Sequence, residues 1–245
     1  MSVFIGVDGC KSGWFAVTLA RDEKWKTDLF FSVADLWERN KTASMILIDI
    51  PIGLIGKGRS DRECDRAARQ MLGPGRSASI FTPPCREALS AKSYVEACEI
   101  NKQITGKKIS IQTWFIMIKI NEVDNFIRNC KEALSIIKEA HPEVCFSALA
   151  GGSMKYSKNS EDGFQERRNI LIKRFPQTDH VVDHSLKRYK RKDVKKDDIL
   201  DALVNAVTAK LGHHFLVSMP KNVNYDLKGI PMAIWYYQFQ SKENS

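Results

Sequence analysis

Two apolar runs, Val3-Phe4-Ile5-Gly6-Val7 and Met45-Ile46-Leu47-Ile48, each close on an aspartate, Asp8 and Asp49. Runs this apolar suit strands covered on both faces, inside a sheet flanked by helices. If the two strands are neighbours, their terminal carboxylates converge. At about 4 Å such a pair repels by roughly 4 kcal/mol at an effective dielectric near 20. A fold keeps that arrangement when a cation resolves it, and Mg²⁺ and Mn²⁺ prefer oxygen ligands.

The rest of the N-terminal pattern fits the same sheet. Gly9 to Ser12 supply turn chemistry, and Trp14 to Leu19 reads as a strand returning antiparallel to the first. Trp25 to Val33 reads as a third strand and Ala34 to Asn40 as a short helix, before the central strand that Pro51 ends. Residues 52–86 are irregular and rich in Gly, Pro, Arg and Ser, with a helix at 61–72 that exits at Gly73-Pro74-Gly75. Helical patterns follow at 87–104 and 112–130, then a fifth strand at 133–140 and a short helix opened by Pro142. Helices at 160–174 and 197–212 precede an aromatic, β-prone tail from Ile230 to Phe239, read as an extra C-terminal strand. With no internal repeat and no linker, the expectation is a single α/β domain over 1–245. Its mixed five-stranded sheet carries flanking helices and a helical and loop insertion at about 52–86.

A further acid source is Lys195-Lys196-Asp197-Asp198-Ile199-Leu200-Asp201. At about 100° per residue, Leu200, Leu203, Val204, Val207 and Leu211 form one apolar stripe, with Asp201 at its margin. Asp197 and Asp198 fall in the first turn, where carboxylates oppose the helix dipole, and Asp198 is open to either role. Glu139, near a strand end, and Glu143, beside Pro142 at a helix start, are both candidates to join the site. His141 lies between them and is open to a structural or a proton-transfer role.

Arg62, Arg66 and Arg69 recur at helical spacing beside a Gly-rich segment carrying Arg76 and Ser77. Guanidinium groups on one face suit phosphate oxygens, but Asp61, Glu63 and Asp65 also suit a salt-bridged surface helix. Gln112 opens a helix whose Trp114, Phe115, Met117 and Ile118 read as core. The run Lys187-Arg188-Tyr189-Lys190-Arg191-Lys192, with Lys195 and Lys196, is either a solvated loop or a guide for a phosphate backbone.

Gly6-Val7-Asp8-Gly9-Cys10-Lys11-Ser12-Gly13-Trp14 and Ile48-Asp49-Ile50-Pro51-Ile52-Gly53-Leu54 together resemble a family of uncharacterised proteins described as predicted nucleases with a ribonuclease H-like fold. The resemblance continues through Arg62 to Arg69, Arg76-Ser77, Ile80-Phe81 and Gln112-Thr113. It closes on Glu139-Ala140-His141-Pro142-Glu143 and Asp197-Asp198-Ile199-Leu200-Asp201-Ala202. It implies Asp8 as a bridging metal ligand, Asp49 as a second, and Asp201 or Asp198 as a third. Either Glu139 or Glu143 would join them in catalysis. Lys11, Arg66, Arg69, Arg76, Ser77 and Gln112 would contact the substrate. The chemistry implied is phosphodiester hydrolysis of nucleic acid supported by Mg²⁺ or Mn²⁺.

A formal charge of +9 over 245 residues agrees with a polyanionic partner. The six cysteines are scattered without a C-x-x-C pair, which reads as reduced thiols in a cytoplasmic protein. No run approaches the roughly 20 apolar residues of a membrane span. Asp8-Gly9-Cys10-Lys11-Ser12 also resembles the phosphate loop of actin-like phosphotransferases and ATPases, although the chain has one hairpin and no repeat. A non-catalytic module binding metal or nucleic acid is the other alternative.

Overall fold

The computed structural model describes residues 2–58 and 61–238. In chain order the chain forms strands β1 (Val3–Cys10), β2 (Gly13–Ala20) and β3 (Trp25–Phe30), helix α1 (Val33–Asn40) and strand β4 (Met45–Asp49). Helices α2 (Glu63–Leu72), α3 (Tyr94–Thr105) and α4 (Ile111–Asn129) precede strand β5 (Ile137–Glu139). Helices α5 (Pro142–Ala150), α6 (Glu161–Arg174), α7 (Thr178–Arg188) and α8 (Lys196–Leu211) lead to strands β6 (Leu216–Tyr225) and β7 (Pro231–Tyr237). Two compact units result. Among the described residues, the first comprises 2–49, 136–217 and 235–238; the second comprises 50–58, 61–135 and 218–234.

The first unit holds a five-stranded sheet in the order β3-β2-β1-β4-β5. β1 pairs antiparallel with β2 and parallel with β4, and β4 pairs parallel with β5. This is the mixed α/β sheet expected from the sequence. β1 and β4 sit in its middle, which is why both read as unbroken apolar runs.

Gly6 decides how closely a helix can cover the sheet. A Cβ at this position would lie 2.0 Å from the Ala202 carbonyl oxygen and 2.1 Å from the Ala206 nitrogen. α8 therefore rests its backbone directly on β1, and Asn205 Nδ2 donates to the Val7 carbonyl at 3.4 Å. Phe4, Met45 and Leu47 share a core cluster with Leu203, Val204 and Val207. Because side chains two residues apart share a strand face, Asp8 and Asp49 continue that face. α8 is buried on all sides from Ile199 to Ala209, not along a single stripe, because α5, α6 and α7 also pack against it.

The second unit carries α2, α3 and α4. The α4 stripe Thr113, Met117, Ile120, Asp124 and Ile127 is buried at heptad-like spacing. The expectation that Phe115 and Ile118 are core is corrected here: they are 74% and 81% exposed on the opposite side of the helix, with only Met117 of that set fully buried. Arg86 bridges Asp124 at 2.8 Å and Asp226 at 2.5 Å, tying α4 to the turn between β6 and β7.

Other boundaries move as well. The segment 87–104 divides into a short 3-10 turn, Arg86–Ser90, and α3, which Ser93 caps by accepting from the Glu96 amide. The fifth strand is three residues long. α7 and β6 were not expected at all. The C-terminal strand exists, but it pairs with β6 in a separate two-stranded sheet; Phe239, the last residue of the expected strand, lies outside the described residues. No helix among the described residues is long and apolar enough to cross a membrane.

Candidate functional site

The acids at the strand ends meet through sheet register. Asp8 and Asp49 are Cα partners across the parallel β1–β4 pair, so both side chains leave the same face of the sheet. α8 delivers Asp201 to that face. Asp8 and Asp201 are 8% and 3% exposed, while Asp49 at the strand end is half-buried. Glu139 is the register partner of Ile48 at the end of β5, one position short of Asp49.

Burial and crowding act together on these carboxyls. Asp8 is held well above the ordinary carboxylate range, first by burial and then by the charges of Asp49, Asp201 and Asp198. Asp49 is pushed up to about 8 by burial and by Asp201, with Lys158 opposing and Glu139 and Glu143 adding to the rise. Asp198 is raised to about 6, chiefly by burial, although it accepts a hydrogen bond from the Lys195 amide at 2.8 Å. That bond makes Asp198 part of the N-terminal capping box of α8, in addition to its place in the first turn.

One cation enters the group. Lys158 Nζ donates to Asp201 Oδ2 at 3.0 Å, and the Asp201 charge raises the Lys158 ammonium above its usual value. Nothing in Tyr156-Ser157-Lys158-Asn159 marked this residue, because a lone lysine in a polar loop has no periodic or motif signal. Lys158 also borders a cleft of about 270 Å³ lined by Asn159, Arg191, Lys195, Lys196 and one carboxylate, Asp197. This cleft gives part of the basic run a location beside the acids.

Glu143 is committed elsewhere. Both of its carboxylate oxygens accept from Arg167, at 2.7 and 2.8 Å, and both residues are buried. Arg167 also donates to the Gly163 carbonyl at 2.9 Å, so the pair joins α5 to α6. Sequence periodicity could not reveal this, since Arg167 sits in a helix that reads as polar throughout. His141 occupies the N-cap of α5.

The arginines predicted to share one face have three different roles in the second unit. Arg62 is fully buried, contacts Cys64 Sγ at 2.8 Å and pairs with Asp65 at 3.4 Å. Arg66 is exposed, 3.7 Å from Asp61. Arg69 donates to the Ile80 carbonyl at 3.1 Å and to Thr82 at 2.9 Å. Arg69, Ser77 and Gln112 line one cavity within this unit, whereas Arg76 sits just before the adjoining 3-10 turn, without a side-chain capping bond, and Lys11 is exposed in the β1–β2 turn of the first unit.

Residues 6–223 match the family described as protein of unknown function, DUF429. The chain belongs to this family. The DUF429 match spans all six candidate acids together with Lys158 and Arg167. Comparison with curated proteins and with solved structures returned no match.

For this DUF429 member the fit to a divalent cation rests on donor chemistry. Among the described residues, no three His, Cys, Asp or Glu side chains converge as a ready-made metal-binding group. The donors near Asp8 and Asp49 are nonetheless carboxylate oxygens, the kind hard cations prefer. Burial is the main cause of their raised proton affinity, and the neighbouring carboxylates add to it against the opposing charge of Lys158.

Proposed function

We propose that this chain is a metal-dependent nuclease that hydrolyses phosphodiester bonds of nucleic acid, with Asp8, Asp49 and Asp201 as the residues that would hold Mg²⁺ or Mn²⁺. The supporting observation is the in-register pair Asp8 and Asp49 on the face that α8 covers, with Asp201 adding its charge. Buried carboxylates at this density are neutralised either by taking up protons or by a counter-cation. Lys158 supplies one positive charge to them, directly on Asp201.

A divalent cation bound there supplies charge stabilisation on phosphate oxygens and lowers the pKa of bound water. The chain's own residues do the remaining work. Arg191, Lys195 and Lys196 line the cleft that Lys158 borders, where a strand's phosphates would be held. Glu139, which pairs with Ile48 and so projects from the sheet face opposite Asp49, raises the proton affinity of Asp49 through its charge alone. Asp198 fixes the start of α8 and so the position of Asp201.

The test is cleavage of labelled single-stranded DNA, RNA and branched DNA with Mg²⁺ or Mn²⁺. Cleavage that EDTA abolishes, and that falls by at least about 100-fold in Asp8→Asn, supports the reading. No cleavage of any substrate by the unsubstituted protein contradicts it.

A second reading follows from Lys158. Because Asp201 already has a cation, the chain could bind strands through the basic cleft without turnover. Salt-sensitive strand binding, unchanged by Mn²⁺ and without products, would favour it.

A further inference from the structure

The second unit contains a cavity that the acids do not use. Its volume is about 550 Å³, within the range of small-molecule sites. Three cationic residues, Arg69, Lys107 and Lys108, line it, and no carboxylate does. Lys108 lies 3.4 Å from Glu99, which is outside the lining, so the cavity keeps an excess of positive charge.

The walls are held by hydrogen bonds to one another. Arg69 spends two donors on Ile80 and Thr82, which orients the guanidinium and leaves further N–H groups for an anion. Thr113 Oγ1 donates to the Thr82 carbonyl at 3.1 Å, pinning the first turn of α4 to the same loop. Asn101 is buried; its amide donates to the Lys107 carbonyl at 2.7 Å and its oxygen accepts from the Cys85 amide at 2.7 Å, which fixes the lysine loop. Ser110 caps α4 through the Thr113 amide at 3.0 Å, while the amides before it have no acceptor within the helix. Among these polar groups, Ile55, Ile80, Phe81 and Ile109 also line the cavity and provide apolar surface.

We infer that this cavity binds a phosphorylated ligand of nucleotide size, with the phosphoryl group against Arg69, Lys107, Lys108 and the start of α4. The body of the ligand lies on the apolar wall. A free nucleotide and the phosphorylated end of a strand share this chemistry. The inference goes beyond the nuclease reading, because it requires neither the acids nor a metal.

Calorimetry on the full chain in EDTA, at low salt, tests it with AMP, adenosine, inorganic phosphate and oligothymidylate with and without a 5′-phosphate. AMP is expected to bind at least about tenfold more tightly than adenosine or phosphate alone, since each supplies only half of the contacts. Competition by the 5′-phosphorylated oligonucleotide alone identifies a strand end as the source; AMP binding without competition identifies a free nucleotide. Lys107→Gln with Lys108→Gln, both exposed side chains, is expected to weaken AMP at least about tenfold without lowering thermal stability. Lys107→Arg with Lys108→Arg is expected to retain binding. No saturable AMP binding up to millimolar concentration, or an unchanged affinity in the double Gln variant, overturns the inference. Because EDTA removes any metal, cleavage by the acids can survive that failure, and AMP binding can survive a failure of the nuclease reading.

Discussion

Lys158 donates to Asp201 at 3.0 Å, so the acid group carries its own organic cation. Removing it leaves Asp8, Asp49 and Asp201 to repel without relief. Lys158→Gln is therefore expected to lower the stability of the metal-free protein by about 1–2 kcal/mol, less than a fully buried pair because the lysine side chain is 43% exposed. Mn²⁺ is expected to raise the melting temperature of this variant more than that of the unsubstituted protein. Thermal melts with EDTA and with Mn²⁺ measure both effects, and an equal Mn²⁺ response in the two proteins would count against the arrangement.

Asp49 sets a pH dependence. Its folded pKa of about 8 lies above the roughly 3.9 of an unfolded aspartate. The folded state thus prefers the protonated form. The stability this gives is complete below about pH 4 and is lost as the pH rises toward 8. Asp49→Asn escapes that loss. In EDTA it is expected to match the unsubstituted protein near pH 4 and to exceed it increasingly up to pH 8. Melting curves across that range decide it; a variant less stable than the parent at pH 8 would contradict the crowding described for the acids.

Glu143 and Arg167 form a buried pair, and removing one partner from such a pair costs about 3–5 kcal/mol. Glu143→Gln is expected to be destabilised on that scale. Replacing both residues, as in Glu143→Gln with Arg167→Met, is expected to recover part of the loss. Chemical denaturation of Glu143→Gln, Arg167→Met and the double variant gives the coupling, and additive losses would show that the pair is not what holds α5 to α6.

How much of this was legible in the sequence follows from the range of each interaction. β1 and β4 were readable because burial on both faces leaves an uninterrupted apolar run, and the acids were readable because they end those runs. Register and helix placement then made Asp8, Asp49 and Asp201 neighbours. Lys158 and Arg167 were invisible, because each acts through one distant partner, 43 and 24 residues away, and such pairs leave no local pattern. α4 misled for a related reason: Phe115 and Ile118 are apolar, but the buried stripe runs through Thr113 and Asp124. α7 went unread because its polar face outweighs the buried Val181 and Val182.

Gly6 is legible only after the fact, as the point where α8 touches β1. Gly6→Ala places a methyl group about 2 Å from α8 backbone atoms, so helix or strand must shift. A loss of more than about 3 kcal/mol is expected, at the upper end of single-substitution effects. Denaturant unfolding checks this, and a variant within about 0.5 kcal/mol of the parent would mean that α8 does not approach so closely.

In the proposed nuclease, Asp8, Asp49 and Asp201 take a divalent cation in place of the charge that Lys158 now supplies in part. Anomalous diffraction from crystals grown with Mn²⁺ tests this most directly. The account predicts an anomalous peak between Asp8, Asp49 and Asp201, with Lys158 displaced from Asp201. Crystals with no peak among these carboxylates, and with Lys158 still bonded to Asp201 at saturating Mn²⁺, would contradict it.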